Sequence, residues 1–206
     1  MARRSKHSYE EIKMLVLNAA EAIVVEEGGA ALNLRAVATK IGYTVGAVYM
    51  VFANRADLIW HINARTLDAI QNAYTEAQSC NDEVSIETLT NIYLMYASQN
   101  FNRWRMILDD PLRANEKIPT WYQNRLDKLF MPIEAHFAKL VPQSPEAYRK
   151  RAAWVLGCSV HGICVLSLRD SPDKACIKRI EDMITLIVRQ FMQGWPPQFT
   201  QSESPF

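Results

Sequence analysis

Leu34-Arg-Ala-Val-Ala-Thr-Lys-Ile-Gly42-Tyr-Thr44-Val-Gly46-Ala-Val-Tyr49-Met-Val-Phe52 consists of two short apolar-striped runs on either side of a glycine. In the first run Leu34, Val37, Ala38 and Ile41 fall at the spacing of one helical face, and Asn33 stands before them as an N-cap. Gly42 ends the run, because glycine enters the left-handed region without a steric penalty. Thr44 can cap the next helix, on which Val45, Val48, Tyr49 and Phe52 share a face. Only Gly42 and Tyr43 separate the two. A helix pair with so tight a turn is a helix-turn-helix candidate, in which one helix braces on the DNA backbone and the next lies in the major groove. The same periodicity also suits the corner of any small helical bundle.

Working outward, Ser8 and Glu11 form a capping box, and Ile12, Leu15, Val16, Ala19, Ala20, Ile23 and Val24 continue as one helical stripe. Gly28-Gly29 ends that helix. On the other side Asn54, supported by Asp57, opens a long helix reaching about Ala77. Further helices are predicted over 85–99, 102–108 and 119–139. Pro132 lies inside the last of these and is expected to kink or break it. Ser144-Pro145 and Ser171-Pro172 each read as a serine cap with proline at the first helical position, opening two long final helices. The last ends at Gly194, before Pro196-Pro197. The expected fold is therefore all-α, with about nine helices. A three-helix helix-turn-helix domain covers 1–54, with a basic arm at 1–7; a helical bundle covers 55–195, and 196–206 is a loose tail.

Composition narrows the function classes. The 206 residues are 49% hydrophobic and 22% charged with a net charge of +1, enough apolar matter for a core and too little charge for disorder or histone-like DNA binding. Seven glycines argue against a β-rich architecture. The four cysteines form no C-x-x-C pair. Ala152–Leu168, the longest uncharged run, has 17 residues and includes Gly157, Ser159, His161 and Gly162. A membrane span wants roughly 20 apolar residues. No signal peptide is evident, so a cytoplasmic protein without a membrane partner is expected.

The segment from Leu34 to Leu58 resembles the helix-turn-helix signature of TetR-family transcriptional regulators, with Ala38, Gly42, Thr44, Gly46, Tyr49, Phe52, Arg55 and Leu58 in register. Trp154-Val-Leu-Gly157-Cys-Ser-Val-His161-Gly162-Ile resembles a tryptophan-then-His-Gly pattern of one subgroup of that family's C-terminal domains. The resemblance implies a homodimer with two heads on a palindromic double-stranded operator. It also implies a small-molecule effector that binds one arrangement of the dimer better than the other. The chain then reads as a repressor released by a small apolar or aromatic ligand.

Each matched residue also has a physical role. Thr44 begins the recognition helix, where free N–H groups favour a phosphate. Gly46 lets backbone approach DNA. Tyr49 offers a phenol to a phosphate while its ring packs inward, or else is plain core, as Phe52 is expected to be. Arg35, Lys40 and Arg55 are phosphate partners or solvated charges, and Arg3 and Arg4 belong to an arm that tracks a groove. Ala47, Met50 and Val51 depart from the hydroxyl, Arg, His or Tyr residues frequent in the family. Base readout then rests on Thr44, on Val45 or Ala47 against thymine methyls, and on DNA shape. Residues 1–60 hold 7 basic and 6 acidic side chains, so non-specific affinity is expected to be weak.

Eight of the 20 aromatic residues fall between Asn91 and Phe137. Tyr93, Tyr96, Phe101, Trp104, Trp121, Tyr122 and Phe130, with His161, are the candidate ligand pocket; ordinary core is the alternative. On this reading Trp121→Ala alters ligand response and leaves ligand-free DNA affinity unchanged. The final two helices supply the candidate dimer interface through Trp154, Gly157, Gly162, Leu166, Ile180, Ile184, Ile187 and Phe191. Cys158, His161 and Cys164 recur by threes, but Cys158 and Cys164 lie about 120° apart on a helix. No further ligand is near in sequence, so neither metal nor cofactor is expected. Three alternatives remain: an activator or ligand-independent regulator of the same fold, a cofactor-carrying bundle, and an enzyme using Cys158 with His161. The last requires oxyanion donors that the sequence does not display, and no enzyme is expected.

Overall fold

Ser8 opens the first helix by accepting the Glu11 N–H at 3.3 Å, while the Ser8 N–H donates to Glu11 Oε2 at 2.6 Å. The Ser8 N–H, and after it the Ser8 hydroxyl, hold the Glu11 carboxyl below its ordinary pKa. A computed structural model of the chain describes residues 7–80, 84–109, 118–168 and 172–194. Among the described residues there are nine α-helices and no strand: α1 (Tyr9–Glu27), α2 (Leu34–Ile41), α3 (Val45–Tyr49), α4 (Arg55–Cys80), α5 (Ile86–Gln99), α6 (Phe101–Asp109), α7 (Thr120–Leu140), α8 (Glu146–Ser167) and α9 (Lys174–Gln193). A short 3₁₀ turn, Gly29–Ala31, follows α1. The fold is all-α, as the periodicity requires.

Three local expectations need correction. Helix α7 runs on through Pro132 without the break that was one of its two expected effects; one proline in a 21-residue helix removes a single N–H donor. Ser144 does not cap α8: its hydroxyl donates to Val141 O at 2.7 Å, and Pro145 itself occupies the N-cap. The cap of α9 is Asp173, whose carboxylate accepts the Cys176 N–H at 2.7 Å, so Pro172 stands outside the helix and Ser171 outside the described residues.

The described residues form two compact units. The first takes residues from 1–69 and 100–123, the second from 70–99 and 124–206. The segment 1–54 thus falls wholly within the first unit, which also includes the start of α4, all of α6 and the first residues of α7. The tail from 196 lies outside the described residues.

The core of the first unit joins Val16, Ala20 and Val24 of α1 to Val37, Val48, Phe52, Leu58 and Ile62, and takes in Met106 of α6. Burial of each large aliphatic side chain stabilises by about 1.5–3 kcal/mol, far more than helices this short supply from intrinsic propensity. Polar ties bring α6 into the same body. The Asn63 amide donates to Met106 O at 3.0 Å, and the Asn102 amide donates to Val25 O at 3.0 Å. Glu21 of α1 meets Arg65 of α4 at 2.6 Å and Arg103 of α6 at 3.7 Å. A Cβ on Gly29 would press on the Met106 side chain at 2.9 Å, so glycine permits the close approach of α6. In the second unit α5, α8 and α9 pack together around Tyr93, Leu94, Leu156, Val160, Ile180, Ile184 and Val188.

Candidate nucleic-acid interface

Asn33 starts α2 by accepting the Ala36 N–H at 2.8 Å. Gly42 ends it at φ 70°, in the left-handed region, and the Tyr43 N–H then reaches back to Ala38 O at 2.9 Å. A side chain at position 42 would be strained in that turn. Thr44 Oγ1 accepts the Ala47 N–H at 3.3 Å and starts α3. Val48 is the buried residue of α3, and Val51 and Phe52 follow it into the core. Two capped helices, set at a fixed angle by a left-handed glycine and anchored on α1, make up the head.

The other face of α3 is open. Thr44 and Gly46 are exposed, and Val45 and Ala47 are half-buried. Tyr49 is 56% exposed, so its ring does not pack inward and the plain-core alternative is excluded. Phe52, at 1% exposed, is core as expected. Met50, outside the expected set of contacts, is 67% exposed. The cations differ more from expectation. Arg35 is exposed on α2. Lys40 is exposed but bonds Glu26 Oε2 at 2.8 Å, which offsets its charge. Arg55 turns into the protein: Nε donates to Leu32 O at 2.8 Å and Nη2 to Gly29 O at 3.0 Å. Its guanidinium therefore braces the loop between α1 and α2, a role that sequence spacing could not separate from phosphate pairing. Arg3 and Arg4 lie outside the described residues. His7, the first described residue, bonds the Tyr43 hydroxyl through Nδ1 at 2.5 Å, tying the root of the arm to the helix-turn-helix turn.

The turn into α4 is a second capping arrangement. The Asp57 N–H donates to Asn54 Oδ1 at 2.8 Å, and Asp57 Oδ2 accepts the Ala53 N–H at 2.9 Å. Loss of that carboxylate in Asp57→Ala is expected to cost about 1 kcal/mol of first-unit stability, measured by urea denaturation.

The eight candidate pocket residues divide between the units. Phe101, Trp104, Trp121 and Tyr122 belong to the first, and Tyr93, Tyr96, Phe130 and His161 to the second. In the first unit Trp60 packs on Tyr122 at 4.6 Å between ring centroids, Trp121 on His61 at 4.8 Å, and His61 edge-on to Phe52 at 5.1 Å. Trp121 is therefore linked through one imidazole to the core beneath α3. With this packing Trp121→Ala is expected to loosen the head and weaken duplex binding without any ligand, in place of sparing ligand-free DNA affinity. Anisotropy titrations on the ligand-free variant check this.

In the second unit the Tyr93 hydroxyl and His161 Nδ1 lie 2.6 Å apart, both side chains buried. Phe130 packs at a tilt on Trp154, with ring centroids 4.9 Å apart, and Tyr96 is half-buried. Burial pushes Cys164 up to about 12 and raises the Cys158 thiol as well. A nucleophilic cysteine needs the opposite shift. Among the described residues no group of three His, Cys, Asp or Glu is placed to hold a metal, and no helix is long and apolar enough to cross a membrane.

The candidate interface residues also divide. Trp154 is exposed, and Leu166 is 88% exposed. Gly162 faces open space, since a Cβ there would meet nothing within 4 Å. Gly157, in contrast, faces the Phe130 ring, with which a Cβ would collide. Ile180 and Ile184 are buried within the chain, Ile187 is half-buried, and Phe191 packs on Phe137 at 5.9 Å. The stripe read from α9 is thus largely spent inside the chain. Val155, Met183 and Leu186, outside the expected set, are exposed instead.

Comparison with solved structures places this arrangement. A TetR-family transcriptional regulator from Streptomyces coelicolor superposes with a TM-score of 0.62, at 16% identity, covering 87% of this chain and 99% of that one. The chain has the fold of the TetR-family regulators. A second structure, the multidrug binding protein EbrR complexed with imidazole, superposes with a TM-score of 0.56 at 15% identity, covering 85% and 93% of the two chains. In sequence, the HTH-type transcriptional regulator AcrR of Shigella flexneri is 24% identical over 112 residues, 53% of this chain and 52% of that protein. The chain therefore spans about half the length of the curated relative it matches. No family model matches it.

Proposed function

We propose that the chain is a sequence-specific DNA-binding transcriptional regulator, acting in the cytoplasm as a homodimeric repressor that a small apolar or aromatic ligand releases. The observation that carries this reading is the head itself. A capped helix α3 rests on a buried core and presents Thr44, Gly46 and Tyr49 outward. The TetR fold and the likeness to AcrR support it. Arg35 and Tyr49 serve as phosphate partners, and Val45 and Ala47 border the base edges. Arg3 and Arg4 extend the contact from the root fixed by His7. Two heads require a dimer, and the exposed Trp154, Leu166 and Leu186 on α8 and α9 are the surface for it. The two heads then read a palindrome whose half-sites lie about one DNA turn, roughly 34 Å, apart.

The ligand reading rests on the second unit. The buried Tyr93–His161 pair offers a polar anchor, with Phe130 and Tyr96 in the same unit. EbrR, of the same fold, is a multidrug binding protein. A ligand held there acts by preferring one arrangement of the dimer.

Tyr49→Phe tests the DNA contact. The side chain is exposed and only its hydroxyl is removed, so the fold stays intact. Affinity for a bound duplex and for non-specific DNA should fall alike, by about 0.5–1.5 kcal/mol, as for one hydrogen bond. Unchanged affinity in anisotropy titrations at fixed salt would remove Tyr49 from the interface.

A further inference from the structure

Met50 follows the last residue of α3 but keeps helical backbone angles, φ −67° and ψ −27°, and its N–H bonds Gly46 O at 3.1 Å. It therefore lies one turn beyond Gly46, on the same face of the helix. It is 67% exposed, beside Tyr49 at 56%. One exposed apolar side chain on a surface is ordinary. Its neighbour makes this one informative. Gly46 does not adopt a positive φ, and a Cβ there would meet only Thr44 Oγ1, at 3.6 Å. Neither backbone conformation nor packing within the chain calls for glycine at 46, and alanine would favour the helix by about 1 kcal/mol. The clearance at Gly46 thus suits close approach by something outside the chain. What stands at its edge is an apolar, polarisable and adaptable thioether, with no donor and only a weak acceptor for a base edge.

The major groove offers one apolar feature that distinguishes a base pair, the 5-methyl group of thymine. We propose that Met50 is a specificity-determining residue that packs on a thymine methyl in each half-site, with Gly46 supplying the clearance that lets the groove edge close on it. This rests on the DNA-binding reading above and deepens it. Readout at that position is then by exclusion of water from two apolar groups, not by hydrogen bonding.

The test begins with a duplex selected by the full-length protein from a random pool. Each thymine in it is replaced, one position at a time, by deoxyuridine, which keeps the hydrogen-bonding edge and deletes only the methyl. Wild-type affinity should fall about fourfold at one position per half-site, the value of one buried methyl group. Met50→Ala should bind the thymine and uracil duplexes alike at that position, with circular dichroism unchanged. Gly46→Ala should keep its helix content and weaken binding to both duplexes. Wild-type insensitivity at every thymine, or the same sensitivity retained by Met50→Ala, overturns the proposal and leaves the DNA-binding reading standing. Failure to recover any duplex overturns both.

Discussion

Replacing Phe52 by alanine should abolish duplex binding and destabilise the first unit by about 3–5 kcal/mol, the cost of emptying a buried aromatic site. The ring is 1% exposed in the core shared by α1, α2 and α3. It meets the His61 ring edge-on at 5.1 Å, and the Lys13 ammonium lies 5.9 Å from its centroid. A cavity there undercuts α3, which at five residues cannot hold its shape alone. Urea denaturation and anisotropy on the same sample would measure both effects. Full DNA binding by a destabilised variant would mean that α3 is fixed by something other than this core.

The double variant Leu166→Glu with Leu186→Glu carries the other large effect. Both side chains are strongly exposed, at 88% and 61%, so the protomer loses little by the change. Carboxylates facing their symmetry mates would be buried unpaired in a dimer, which association cannot offset. The expected result is a monomer by sedimentation velocity with unchanged helix content. Loss of the second head should weaken operator binding by about 100-fold or more, because the second contact ceases to be intramolecular. A persistent dimer would place the interface on another surface.

The head was legible in the sequence because its determinants are local. Ser8 with Glu11, Asn33, Gly42, Thr44 and Asn54 with Asp57 are caps and turns set by neighbours within a few residues, and each forms as read. The burial of Phe52 followed from the same periodicity. What failed was long-range. Arg55 reaches carbonyls 23 and 26 residues away, and no spacing rule announces such a bond. The aromatic stretch from Tyr93 to Phe130 is continuous in sequence, yet α6 and the start of α7 join the first unit, so four of its members belong to that unit. The apolar face of α9 was visible, but a stripe does not reveal whether it meets its own chain or another, and Ile180 and Ile184 meet their own. Met50 was noticed only as a departure from the family pattern. The available signal was its place one turn beyond a glycine that the helix does not need.

Selection of duplexes from a random pool by the full-length wild-type protein, at a stated ionic strength, tests the central claim most directly. Enrichment of a two-fold symmetric sequence is expected, with half-site centres about 10 base pairs apart or a multiple of that. Arg35→Ala should weaken binding to the enriched duplex and to unrelated duplexes alike, as loss of a phosphate contact does. A pool that stays random, or an enriched sequence without two-fold symmetry, would contradict a dimeric regulator reading DNA through α3.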